Sequence, residues 1–325
     1  MSIVFKQTII HILDLSHEMP ILSASPIALT DDTEAYLTHY LAGLFDSHSV
    51  SQAVFEDTSL WYEMLQNGLQ DFYTFSCDLA QQFYAYMQTF ETISNGDLIT
   101  THFERDAVPY LAFFKLNYKE AYTHTVDQAL HGPVNQLIKH KTILHDTVSK
   151  IQEAAIINLQ TFDLLLLDIH KEKYVHTLLG CTAPLSTQQK IKVVEKVLTD
   201  TIEENFENKV EALSFAKSNL AKSIDSTSSI MLEDVLHDTF GDHEDLITSC
   251  MNSFEEKGLT EPIIEIPQAE KISRKYTSHK IKTNTGIELK LPTQLLNDPD
   301  TIEFINNPDG TLSILLKNIG SVINK

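Results

Sequence analysis

Glu288-Leu289-Lys290 has the Glu-x-Lys form in which a strand carboxylate binds Mg²⁺ and a lysine steadies the attacking hydroxide of a nuclease. That chemistry needs a second carboxylate. No Asp occurs between Asp245 and Asp298, and Glu265 and Glu270 sit among prolines and polar residues, so the set is incomplete. His237, Asp238, Asp242, His243 and Asp245 supply metal-type ligands within nine residues. The two histidines are six apart and would not share a helical face, which argues against a metal site. Cys181 follows Gly180 and has His176 five positions before it, yet a buried structural thiol is the commoner fate of such a cysteine. Neither GxSxG, HExxH, a Walker loop nor a dinucleotide fingerprint occurs. The chain is expected not to be an enzyme and to need no cofactor.

Its cations offer a different chemistry. Lys271, Arg274, Lys275, His279, Lys280 and Lys282 fall within twelve residues, and Lys139, His140, Lys141 and His145 form a smaller group. Lysines near phosphates release counterions, which suits a surface that tracks a nucleic-acid backbone. Solvated lysines also guard strand edges against other chains, so the same clusters have a bland reading. Arg105 and Arg274 are the only arginines. Since guanine is most often read by bidentate arginine, any DNA contact is expected to be non-specific.

Charge is segregated along the chain. Residues 1–100 hold thirteen Asp/Glu and one base, Lys6, whereas 101–199 hold ten acids and eleven bases. Residues 200–270 hold seventeen acids against four lysines, and 271–325 reverse to eight bases and five acids. The net charge of -21 therefore averages two acidic blocks, a neutral one and a basic end. The acidic blocks repel a polyanion, so it must dock on the middle or on the end, while basic proteins are attracted to those blocks.

At 325 residues and 42% hydrophobic content the chain can bury more than one core, and two or three substructures are expected. Three scattered cysteines without a CxxC pair argue against a disulfide framework and a zinc ribbon, and fit a reducing cytoplasm. Residues 3–15 alternate apolar and polar and read as a strand rather than a signal peptide. Apolar runs such as Leu164 to Leu167 fall far short of the roughly 20 residues of a membrane span, so no membrane partner is expected.

The elements that position these groups read as an α+β protein. Residues 1–184 form a mixed α/β domain with an antiparallel sheet, 185–261 an acidic helical segment, and 262–325 a small C-terminal β-hairpin unit carrying the basic cluster. Strands are expected over 3–15 and near 21–29, then a helix capped at Thr30 with Leu37, Tyr40, Leu41 and Leu44 on one face. Leu69, Phe72, Ser76, Leu79, Phe83, Tyr86 and Phe90 mark a second helix. Aromatic and β-branched runs at 100–103, 108–118, 142–151 and 155–169 suggest the sheet. Ser186 and Gln189 form a capping box ahead of a long amphipathic stripe from Ile191 to Ile224, broken once at most. The Ser/Thr-rich stretch 223–229 is expected to interrupt helix, and shorter helices follow over 231–240 and from His243 to a C-cap at Gly258. Beyond Pro262 the chain turns to strands, with hairpins around Thr283 to Gly286 and Asn307 to Gly310. A stripe as long as 191–224 commonly completes its burial across a two-fold axis, so a homodimer is expected.

Four segments, in this order, carry a likeness: IIHILDL at 9–15, HFERDAVPYLAFFKLNY at 102–118, KYVHTLLGC at 173–181, and GIELKLP at 286–292 followed by IEFINNPDGTLSILLKN at 302–318. Across its length the chain resembles the bacterial 37-kDa nucleoid-associated proteins. The resemblance implies a non-enzymatic cytoplasmic protein found on the compacted chromosome with DNA and DNA-processing machinery. On the residues, phosphate contact falls to Lys271, Arg274, Lys275, Lys280, Lys282, Lys139 and Lys141 with double-stranded DNA as partner. The alternatives are an adaptor that reaches the nucleoid only through DNA-bound proteins, and a metal-dependent nuclease using Glu288 and Lys290.

Overall fold

The computed structural model describes residues 2–69, 71–90, 92–130, 132–276, 278–292, 295, 300–309 and 311–321. The chain divides into two compact units, Met1–Pro184 and Leu185–Lys325.

The first unit is built on a seven-stranded antiparallel sheet of β1 (Ile3–Leu13), β2 (Ser51–Phe55), β3 (Gly96–Arg105), β4 (Val108–Asn117), β7 (Glu153–Asn158), β8 (Leu164–Asp168) and β9 (Cys181–Thr182). Their order across the sheet is β1-β3-β4-β7-β8-β2-β9. Between β4 and β7 runs a separate ribbon of β5 (Lys119–Ala129) and β6 (Gly132–Ile143), which pair with each other. Helices cover both faces of the sheet. On one lie α2 (Leu60–Gln66), α3 (Phe72–Thr89) and α4 (Tyr174–Leu179), and on the other α1 (Asp31–Phe45). Burial on both faces explains why β4 reads as an apolar run from Val108 to Phe114. Its Leu111 and Phe113 join the core with α3 and α4, while Ala112, Phe114 and Leu116 join the core with α1.

Local signals start the helices where they are found. Thr30 and Thr33 close a capping box on α1, whose first turn carries Asp31, Asp32 and Glu34 against the positive end of the helix dipole. Asp71 caps α3 by accepting from the amides of Tyr73 and Thr74. His11 ties β1 to α3. Its Nδ1 accepts from the Ser23 amide at 3.1 Å, which leaves Nε2 to donate to Ser76 Oγ at 3.0 Å, and burial holds its pKa below 6.5.

The expectation of a strand near 21–29 is corrected: only Ile21 bridges, to Ile12. Pro20 and Pro26 deprive that segment of ladder donors. The run 142–151 is not one strand either, since β6 ends at Ile143 and a 3₁₀ turn spans Val148–Lys150. The run 155–169 is split by a turn between β7 and β8, in which Phe162 takes a positive φ of 61°.

The second unit packs α5 (Thr187–Asn205), α6 (Lys209–Thr227), α7 (Leu232–Phe240) and α8 (Glu244–Glu256) around one core. A short pair, β10 (Ser229–Met231) with β11 (Ile263–Glu265), closes it. The capping box of Ser186 and Gln189 starts α5, and the long stripe is broken once, between Asn205 and Lys209. Ile191, Val194, Leu198 and Ile202 on α5, with Ala216, Leu220 and Ile224 on α6, are buried inside this unit. Phe206, Val210 and Leu213 of the same stripe are half-buried.

The Ser/Thr-rich stretch ends the helix, but only in its last residues. Ser226 and Thr227 bond back to the carbonyls of Lys222 and Ser223, so α6 runs on to a left-handed cap at Ser228. After Pro262 the chain is not all strand, because α9 (Ala269–Tyr276) intervenes and places Ile272 and Tyr276 against the helical core. Two hairpins follow, β12 (Ser278–Lys282) with β13 (Glu288–Pro292) and β14 (Ile302–Asn306) with β15 (Leu312–Leu316). Among the described residues, no helix is long and apolar enough to cross a membrane.

Candidate functional site

The turn at Thr283 to Gly286 sets the register of the β12–β13 hairpin. Gly286 takes φ +89°, and its amide donates to the Thr283 carbonyl at 3.0 Å. Lys280 is thereby opposite Lys290, and Lys282 opposite Glu288. Residues that alternate along a strand share a face, so these four lie on one side and are exposed. Ile281, Leu289 and Leu291 lie on the other and are half-buried. Lys282 and Glu288 pair at 3.2 Å, but their side chains are 71% and 70% exposed, so the pair adds little stability. Like charges directly opposite across a ladder repel. The Lys280–Lys290 step thus holds concentrated positive charge, and the carboxylate nearest in the register, Glu288, is engaged by Lys282.

Lys271, Arg274 and Lys275 lie in α9, and their side chains are outside the described residues. Within α9, Ser273 and Tyr276 are buried, and the Tyr276 hydroxyl donates to Glu195 at 2.7 Å. His279 lies in β12, its side chain also outside the described residues. Lys139 and Lys141 lie in the other unit, on the exposed strand β6, where Glu120 pairs with Lys139. The pKa of Glu120 is held below its ordinary value chiefly by its hydrogen bond from Lys139. The His145 carbonyl accepts from the hydroxyls of Tyr36 and Tyr40, so this member of the small basic group anchors its loop.

The enzyme-type groups do not converge. Glu288 is on a hairpin face with lysines for neighbours. Asp238 pairs with Lys222, and no three metal-ligating side chains gather among the described residues. Cys181 is buried, and burial pushes its thiol up to about 12, opposite to what a nucleophile requires.

A polar group inside the first unit was not legible from spacing. Glu153 Oε1 accepts from Lys115 Nζ at 3.1 Å and from the Tyr174 hydroxyl at 2.8 Å, and lies 3.0 Å from His170 Nε2. Lys115 also donates to Asn117. Beside them, Asp168 accepts from the Val175 amide at 2.9 Å and lies 3.2 Å from His176 Nδ1, supplying the carboxylate that the first turn of α4 lacks at its own N-cap. The side chains of Lys115 and Glu153 are wholly buried, leaving no open face for a substrate. The group therefore acts as a clasp holding α4 and the loop after β8 on the sheet. Burial pulls Glu153 upward, but His170, Lys115 and Tyr174 outweigh it and hold the carboxyl below its ordinary value. Burial lowers the Lys115 pKa.

The hydrogen bond to Glu153 raises His170 above 6.5. A folded pKa above the unfolded one gives stability that is full below pH 6.5 and lost as pH rises through the folded value. The stability difference between the unmodified chain and His170→Gln is therefore expected to shrink as pH is raised from 5.5 to 8.5, and urea melts across that range would measure it. A difference that grew with pH would contradict the assignment.

The clasp draws Lys115 from segment 102–118 together with Tyr174 and His176 from segment 173–181, while His11 of segment 9–15 holds β1 to α3. Three of the four segments thus contribute polar contacts within one unit. The family model described as nucleoid-associated protein YejK matches residues 9–323. A search of curated proteins finds no match. With nearly its whole length so matched, the chain belongs to the nucleoid-associated protein YejK family.

Proposed function

We propose that this chain is a non-enzymatic protein of the bacterial cytoplasm that associates with the nucleoid and contacts duplex DNA without sequence preference. The contact surface is the lysine face of the β12–β13 hairpin, Lys280, Lys282 and Lys290, extended by Lys271, Arg274 and Lys275 of α9. One observation carries the reading: Lys280 and Lys290 are opposite each other and exposed, an arrangement that a phosphate between them would relieve. Lys139 and Lys141 contribute less because Glu120 offsets their charge. A dimer would present two such faces to one duplex and strengthen binding through effective concentration.

Replacing Lys280, Lys282 and Lys290 with Gln is expected to weaken binding equally across unrelated duplexes, as measured by fluorescence anisotropy. Weakening confined to one sequence would contradict phosphate contact. The same reactions with Mg²⁺ or Mn²⁺ are expected to leave DNA intact, and Glu288→Gln to change nothing. Nicking lost in that variant would establish the nuclease instead.

A second reading, an adaptor that reaches the chromosome through basic DNA-bound proteins, draws on the seventeen acidic residues between 200 and 270. Binding to a basic protein partner with no affinity for naked DNA at low salt would favour it.

A further inference from the structure

We propose that the β5–β6 ribbon joins two copies of this chain, edge to edge along β5, about a two-fold axis at Thr123. Among the described residues the ribbon pairs only with itself as a two-stranded sheet, and such a hairpin is marginal in water until further strands are added. It nonetheless exposes Leu130 fully, Leu137 at 74% and Tyr122 at 67%, with Val126 and Val134 also exposed. A row of unpaired edge amides beside apolar side chains is a template for another strand.

The sequence of β5 shows which strand fits. Antiparallel to a second copy about Thr123, it sets Ala121 against Thr125 and Tyr122 against His124. Lys119 then meets Asp127 of the second copy, and Asp127 meets its Lys119. Opposite charges thus meet twice across a seam that one strand forms with itself, as a two-fold interface requires. The register shift between Lys119 and Ala121 puts the extra residue on β6, between His140 and Ile143, and not on the β5 edge. Tyr122, His124 and Leu137 share one face of the ribbon with Lys139 and Asn135, so at the centre of the seam Tyr122 and His124 of one copy lie beside His124 and Tyr122 of the other. DNA is the poorer occupant, because Glu120 engages Lys139 and Asp127 adds a second carboxylate.

The test uses the full chain. Cys77, Cys181 and Cys250 are all buried, so a Thr123→Cys chain treated with a mild oxidant reports on position 123. A disulfide-linked dimer is expected to form at least tenfold faster than with Asn135→Cys, an exposed position on β6 away from the seam. Asp127→Lys is expected to convert a dimer mass by light scattering to a monomer mass, and adding Lys119→Asp to restore it. Circular dichroism checks the fold of each variant. A monomer mass for the unmodified chain at all concentrations overturns the proposal, as does a dimer insensitive to Asp127→Lys. Unchanged mass with strengthened DNA binding in Asp127→Lys would make the ribbon a nucleic-acid arm and overturn it equally.

Discussion

Lys115→Met is expected to destabilise the first unit by about 3–5 kcal/mol, because it strips a wholly buried carboxylate of its counter-charge. Methionine fills similar space, so the loss reports on Glu153 rather than on a cavity. Adding Glu153→Gln should recover part of it: a neutral amide needs no counter-charge, and its oxygen can still accept from Tyr174. Urea unfolding of the two variants separates the terms. A single variant within about 1 kcal/mol of the unmodified chain would mean that the pair is not closed in solution.

Phe83→Ala is the second large effect. Phe83 is fully buried on α3, with the Phe113 ring 5.5 Å away at 79° and the Tyr174 ring 5.7 Å away at 87°. These edge-on contacts join the helix to β4 and to α4. Truncation removes both and leaves a cavity, at a cost of about 3–5 kcal/mol. For a unit of this size the melting temperature should fall by roughly 6–20 °C. Phe83→Leu, which keeps most of the volume, should lose much less. Equal losses in the two variants would show that the ring contacts, not the cavity, dominate.

Much of the fold could be read from local signals. The stripes of α1 and α3 bury the positions their spacing indicates, and the capping box at Ser186 starts α5. Both C-terminal hairpins turn where Gly and Asn or Asp signal it. Elements with short or two-sided patterns were hidden. β2, α2 and the eight-residue α9 carry too few periodic positions to stand out.

The site was partly legible in the same way. The lysines around 280 are visible in the sequence as a cluster, whereas Lys290 stands out there only through the incomplete Glu-x-Lys form it shares with Glu288. Counting outward from the Asn284-Thr285-Gly286 turn places it opposite Lys280 instead. Lys115 was opaque for a deeper reason. In Phe114-Lys115-Leu116 a lysine reads as a solvated strand position, and the counter-charge that makes its burial tolerable, Glu153, is 38 residues away in sequence.

The central claim is phosphate contact through the lysine face, and the salt dependence of duplex binding tests it most directly. For the unmodified chain, log K is expected to fall linearly with log salt. The Lys280→Gln, Lys282→Gln, Lys290→Gln variant should have a slope flatter by about 2.7, at about 0.9 for each lost contact. Identical slopes, or no binding by the unmodified chain at low salt where screening is weakest, would contradict the account.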